Sequence, residues 1–515
     1  MSAVRPKSFT SPVLLGIGSF IYKKFGSRTL IDILYNLGFS ESYTEISVFE
    51  TLSISHEEPD VSETGFMQFV FDNADFNVRT LDGHGTFHAM GGIQCITPSD
   101  SIDPDTRLPR TTERKSTVVS SKLAGVELKN YMKAKNEGLA TIKAWDLGSL
   151  RYVSQEIHVT CPDFLWLYGK WMCDLPIPGW SSFMEKSNAH RQSSMTTVRY
   201  LPFLNAPPTN YDTVFTSLLI SAEKAASHNQ VYCFTTFDQQ LYWIAHDITA
   251  AVDSTPEMQI LKIVGVRLGG FHLVKNFLGA IVIFDLTEFE DDERDEIEFI
   301  LKDINCAIVA SSEDNLLLKS TIEKFHSTMK DLQAKGPTAR LWVQYFNLTT
   351  LLVTYIQAER SGDWFLHLDT VRRMLPIFHA TGHFNYAKSA HLRTEKFFSG
   401  VWTDLLIEQT LMRLMKVKGG LIGRGFTENT ITAFTTGMIA MHNVCHQIEQ
   451  FCGVTFTNSD EHVDARTSRI VRDISDVEKM YSWFTQNDPF CENDELISLS
   501  SILKQNRRHL RHQLP

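Results

Sequence analysis

The spacing of apolar residues along this chain changes character several times. In the first fifty residues they recur every three to four positions, over Thr29 to Leu37 and Ser42 to Leu52, which predicts helices. From Phe66 the run FMQFVFDNAD is apolar and rich in aromatics, and it stops at Asp72, Asn73 and Asp75. That pattern predicts a strand ending on Asp72. GTFHAMGGIQCI predicts a second strand. Thr97 to Thr112 is rich in Pro, Ser, Asp and Thr and reads as a loop. Arg114 to Lys135 then carries several lysines, and strand and loop material is expected as far as Pro208, including Trp166, Trp171 and Trp180.

An α/β rhythm returns after Tyr211. DTVFTSLLISAEKAAS predicts an amphipathic helix, and QVYCFTTFD a strand ending on Asp238. QQLYWIAHDITAAV predicts a helix, QILKIVGVRL a strand, and GGFHLVKNFLGAI the turn and helix after it. Alternation of this kind argues for neighbouring strands in one sheet. From Leu316 to Cys452 the pattern is almost wholly helical, and the last sixty residues are polar with basic residues Lys504, Arg507, Arg508 and Arg511. The expected organisation is a helical segment (1–58), an α/β core (59–310) with a strand and loop region inserted at about 98–210, a helical region (311–452) and a polar tail (453–515).

Composition narrows the function classes. A chain of 515 residues is too long for one small core. A net charge of −11 argues against coating nucleic acid through bulk charge, although a local basic groove remains compatible with it. Eight scattered cysteines with no Cys-x-x-Cys pair fit reduced thiols in an intracellular protein better than a disulfide scaffold or a zinc ribbon. The apolar stretch Pro12 to Tyr22 is short, is followed by Lys23 and Lys24, and shows no small-residue cleavage site, which argues against a signal peptide. Leu341 to Ile356 is interrupted by Gln344, Asn347 and Thr349, and fits a buried helix better than a membrane span. There is no P-loop and no Gly-x-Ser-x-Gly elbow. The acidic run Glu288 to Glu298 reads as a solvated helix face, and GGLIGRGFTEN as a turn between helices.

Three carboxylates are placed suggestively. Asp72 and Asp238 end strands, and Glu408 lies in the amphipathic helix TDLLIEQTLMRLM. Two strand-end aspartates and a helix-borne glutamate form the layout of an RNase H-like two-metal site. Two Mg²⁺ (or Mn²⁺) ions about 4 Å apart need carboxylates to hold them, and hard cations prefer oxygen. Each acid also has an ordinary reading, since Asp and Asn cap turns. Asp75, His88 and His272 are candidates for supporting positions around the site. His84 stands near His88. His442, Cys445, His446 and Cys452 share a helical stretch whose spacing does not suit zinc. Lys122, Lys129, Lys133 and Lys135 are candidate phosphate contacts, and binding through them would fall with salt.

The blocks DNADFNVRTLDGHGTFHAMGGI, VRLGGFHLVKNFLGAI, GDWFLHLDTVRRMLPIFHATGHFNYAKSAHL, TDLLIEQTLMRLMKVKGGLIGRGFTEN and TNSDEHVDARTSRIVRD resemble a family of uncharacterised invertebrate proteins. Those proteins look like products of mobile elements with a transposase-like core. The resemblance runs from about Ser11 to Ile502 and implies no catalytic residues of its own. Together with the α/β rhythm and the carboxylate layout, it leads to the expectation of an α/β, RNase H-like mixed sheet core with a large helical insertion and a helical C-terminal region. On that reading DNA is the expected partner, the intracellular location read from the cysteines becomes nuclear if DNA is the substrate, and homo-oligomerisation stays open. Two departures stand out. A stretch between Leu392 and Glu395 looks missing, just before the Glu408 helix, and no zinc finger or helix-turn-helix is recognisable near the N-terminus. Three readings follow: a Mg²⁺-dependent DNA nuclease or strand transferase, an inactive nucleic-acid- or protein-binding scaffold of the same descent, and a helical interaction protein built on Leu316 to Cys452.

Overall fold

The computed structural model describes residues 10–54, 61–62, 64–74, 88–102, 126–132, 159–172, 175–187, 194–251, 256–277, 316–381, 383–391, 403–416 and 465–487. Its elements divide into two compact units. The first is drawn from residues 1–153, 193–279 and 352–459, the second from 154–192, 280–351 and 460–515.

The chain opens with α1 (Pro12–Phe25), α2 (Arg28–Asn36) and α3 (Tyr43–Ile54). Local chemistry sets these ends. Ser11 accepts the Leu14 N–H with Pro12 beside it, Gly26 closes α1 in the left-handed region at φ 62°, and Ser27 accepts the Leu30 N–H. The strands β1 (Phe66–Asn73) and β2 (Met90–Thr97) follow. Next come α4 (Cys161–Met172), α5 (Trp180–Ser187), β3 (Thr197–Leu204), α6 (Tyr211–Ser227), β4 (Cys233–Phe237) and α7 (Gln239–Ala250). A 3₁₀ stretch at Pro256–Ile263 leads into β5 (Val264–Leu268) and α8 (Gly270–Phe277). The later helices are α9 (Leu316–Ala334), α10 (Pro337–Ser361), α11 (Trp364–Ala380), α12 (Phe384–His391), α13 (Thr403–Ile407), α14 (Arg413–Lys416) and α15 (Thr467–Asn487). Glu408–Met412 forms a π-helical turn joining α13 to α14. Among the described residues no helix is long and apolar enough to cross a membrane.

Two expectations change here. The tryptophan-rich stretch is helical, not strand and loop. Phe164, Leu165 and Tyr168, all fully buried, recur at helical spacing, and that spacing outweighs the strand preference of the aromatics. The polar tail region also contains a helix, α15, whose Val471, Tyr481 and Trp483 are exposed.

The five strands form one mixed sheet in the order β3-β2-β1-β4-β5. β2 runs antiparallel to β1 and β3, while β1, β4 and β5 are parallel. Strand alternation gives the sheet two faces of different character. One face carries Phe71 stacked on Phe237, with ring centroids 5.8 Å apart, and Cys233, whose thiol donates to the Ser221 carbonyl of α6 at 3.4 Å. The other carries the register row Tyr200, Ile93, Val70, Thr236 and Arg267. Ile407, Leu411, Met412 and Met415 of the 403–416 helix pack on its apolar part. In the second unit, α4, α5 and α9 with residues 337–351 of α10 enclose an aromatic core that includes Phe164, Tyr168, Phe183 and Phe325.

Candidate functional site

The C-terminal edge of the parallel strands collects the acids. β1 stays apolar through Phe71 and then places Asp72 opposite Gly91 of β2. Asp72 shares the face of Val70, two residues earlier, and is 7% exposed. Its Oδ1 accepts the Asn73 N–H at 2.7 Å. On the adjacent strand Val70 pairs with Thr236, so Asp238 is the register counterpart of Asp72 one step beyond the end of β4. Asp238 is the N-cap of α7, and its Oδ1 accepts the Leu241 N–H at 2.9 Å. On β5, Phe237 pairs with Leu268, so Gly269 comes next in the same row, and its N–H donates to the Phe237 carbonyl at 2.8 Å.

The 403–416 helix lies along this row. At one end Asp404, 3% exposed, accepts the Phe271 N–H on Oδ2 at 2.5 Å. A methyl group on Gly269 would stand 2.6 Å from that oxygen, so the helix approaches as closely as it does only because residue 269 is glycine. At the other end a methyl group on Gly91 would meet Leu411 at 2.9 Å and Met412 at 3.3 Å. The helix therefore starts over the end of β5 and reaches β2, crossing β4 and β1 between. The π-turn adds a residue where it crosses, and brings Leu411 and Met412 together over Gly91. Thr410, in that turn, donates to the Leu406 carbonyl at 2.6 Å and hydrogen-bonds Tyr200 of β3. Burial pushes the Tyr200 hydroxyl up to about 12, against the opposing effect of that hydrogen bond.

Glu408 is half-buried and opens the π-turn, one helical turn beyond Asp404. With a rise of about 1.5 Å per residue it lies about 6 Å along the helix from Asp404. Strands are spaced about 4.8 Å apart, so that step carries Glu408 from β5 to the region of β4 and β1. Asp72 and Asp238 thus end neighbouring strands, and the Glu408 segment crosses the face that Asp72 occupies. The donors are oxygen only, which suits a hard divalent cation. In their present positions Asp238 and Asp404 are turned onto backbone N–H groups. Among the described residues no three His, Cys, Asp or Glu side chains stand close enough together to hold a metal.

The remaining candidates are dispersed. His88 is exposed just before β2. His272 falls in α8, with its side chain outside the described residues. Lys129 is exposed and pairs with Glu127 at 3.1 Å, in a segment tied to α6 by the Lys129 N–H to Thr216 and the Tyr131 N–H to Asp212. That places it by the helix on the opposite face of the sheet. Asp75, His84, Lys122, Lys133, Lys135, the Glu288–Glu298 run, the His442–Cys452 group, GGLIGRGFTEN and the basic tail residues lie outside the described residues.

Sequence reasoning missed two neighbours of the row. Asp404, an acid in the first turn of α13, was not singled out; its spacing of four from Glu408 was the available signal. The second is a buried ionic cluster. Arg267 of β5 donates to Glu359 Oε2 at 2.7 Å, and Glu359 Oε1 meets His367 Nδ1 at 2.5 Å and the Tyr355 hydroxyl at 3.2 Å. Arg267, Glu359 and His367 are at least nine-tenths buried.

Fold and row together define an α/β protein with carboxylates gathered at the C-terminal edge of a mixed sheet. The chain belongs to the family described as "Domain of unknown function (DUF8702)", whose model matches residues 179–285, 281–393 and 392–508. The second and third matches meet at the place where the sequence looks shortened. Neither the curated proteins nor the solved structures provide a match.

Proposed function

We propose that this chain is an RNase H-like protein of mobile-element descent, a Mg²⁺- or Mn²⁺-dependent DNA nuclease or strand transferase acting in the nucleus. The strand order, with β2 alone reversed, is the arrangement this reading requires. The observation that carries it is the row at the sheet edge: Asp72 and Asp238 end adjacent parallel strands, and the helix bearing Glu408 crosses the Asp72 face. Asp72 and Glu408, with Asp238 released from its cap, would hold the metal. A bound pair of such ions supplies an activated water or hydroxyl and stabilises the leaving oxygen of a phosphodiester. The chain's own contribution is rigid placement: strand ends fix the aspartates, and Gly91 and Gly269 let the glutamate helix lie close.

A second reading, a non-catalytic scaffold of the same descent, is favoured by one observation. Asp238 and Asp404 each serve a helix N-terminus, which accounts for both without chemistry. Nicking of supercoiled plasmid in Mn²⁺ separates the two. The nuclease reading expects nicking by the wild type and a fall of about a hundredfold or more in Asp72→Asn and Glu408→Gln, of the order seen when one strong transition-state stabiliser is lost. Equal activity in wild type and Asp72→Asn, or none in either, supports the scaffold.

A further inference from the structure

The turn between β5 and α8 is gripped from two sides. Gly269 meets Asp404 from α13, and the Phe271 N–H is bonded to the same carboxylate. Gly270 meets the other group: a methyl there would lie 2.7 Å from the Tyr355 hydroxyl and 3.2 Å from the Glu359 carboxyl carbon. Glu359 is in turn held by Arg267, the third residue before Gly270, and by His367 of α11. Three consecutive residues, two of them glycines, are therefore read by two buried carboxylates from different helices.

We propose that Asp404 and Glu359 are positioning residues that clamp the Gly269–Phe271 turn and thereby set where the Glu408 segment crosses the Asp72 face. Asp404 is one helical turn from Glu408, so a shift at its contact with the turn is passed along the helix to Glu408. Glu359 fixes the far side of the turn, so that Asp404 has a fixed point to hold. This rests on the nuclease reading for its catalytic consequence, but the clamp itself is a property of the turn.

The test uses the full chain with Asp404→Ala, Asp404→Asn and Glu359→Gln, followed by hydrogen exchange of the peptide containing Phe271 and by the Mn²⁺ dependence of nicking. In Asp404→Ala the Phe271 amide should exchange at least tenfold faster, and half-maximal nicking should need about tenfold more Mn²⁺ with most of the activity kept at saturation. Asp404→Asn keeps an acceptor for the Phe271 N–H, and should stay within about threefold of wild type on both measures. Glu359→Gln should raise exchange at the same peptide; if it does not fold, Tyr355→Phe replaces it, with a smaller change of the same sign. Unchanged exchange and unchanged Mn²⁺ dependence in Asp404→Ala overturn the proposal. So does loss of nicking in Asp404→Asn as complete as in Asp72→Asn, which would make Asp404 a ligand. If the wild type does not nick DNA at all, the nuclease reading fails, and the exchange measurement alone decides the clamp.

Discussion

The two units of this chain bury different chemistry. Among the described residues, Asp163 is the one acid buried in the second unit, and it sits beside an aromatic core. The first unit buries more: Glu41, Arg199, His246 and Asp247 at separate places, and Asp72, Arg267, Glu359, His367 and Asp404 within and around one edge of one sheet. Taking a charge out of water is costly unless it is paired and hydrogen-bonded, and a buried ion pair is seldom the most stable filling for its volume. The second unit carries less such charge, in Asp163 and in the Lys170–Asp473 pair at 3.3 Å, and its core is aromatic: Phe325 packs edge-on against both Phe164 and Phe346, with centroids 5.7 Å apart in each case. The contrast teaches that the sheet edge is organised for position as well as stability. Asp72 and Asp404 are held against backbone N–H groups, Glu359 against Arg267, His367 and Tyr355, and Gly269 and Gly270 admit Asp404 and Glu359.

Removing the charges of the buried cluster tests whether it serves position or stability. Glu359→Leu alone leaves Arg267 buried without its counterion and should cost about 3–5 kcal/mol in chemical denaturation. The pair Arg267→Met with Glu359→Leu should return most of that stability while still loosening the Gly270 side of the turn. If the double variant is as unstable as the single one, the cluster is a stability element and the contrast with the second unit loses its meaning.

In the second unit a smaller effect is expected from Asp163. Burial pushes the Asp163 carboxyl above the ordinary 3.8, although hydrogen bonds from Thr160 at 2.6 Å and Trp180 at 2.8 Å act the other way. The folded state then binds the proton more tightly than the unfolded chain. Protonation favours folding, so stability falls as pH rises from 3.8 through the raised folded value and is level above it. Asp163→Asn should remove that slope from urea denaturation curves taken across the acid range. A slope unchanged in the variant would assign it to another group.

Part of this was legible from residue order. The run from Phe66 to Phe71 is apolar and stops on polar residues, so β1 and the place of Asp72 could be read directly, as could β4 and Asp238. The helices on either side of β4 announced themselves by spacing. The stretch around Trp166 misled because aromatic residues favour strands on average, whereas here Phe164, Leu165 and Tyr168 follow a helical period. QILKIVGVRL misled in length: only Val264–Leu268 pairs with β4, and the residues before it form the 3₁₀ stretch. The partnerships of Asp404 and Glu359 were not legible, because they join residues 133 and 92 positions apart. No local period encodes such a contact. The paired glycines after β5 were its one trace, since a double glycine at a strand end marks a place where something approaches the backbone closely.

The proposed divalent-metal site is organised around Asp72 at the sheet edge. Crystals of the full chain soaked in Mn²⁺ test it most directly, through anomalous scattering. Density is expected within oxygen-coordination distance, about 2.0–2.6 Å, of an Asp72 oxygen, with Glu408 or Asp238 as a further ligand, and its loss in Asp72→Asn. Mn²⁺ bound only elsewhere, or the same density at this edge in Asp72→Asn, would contradict it.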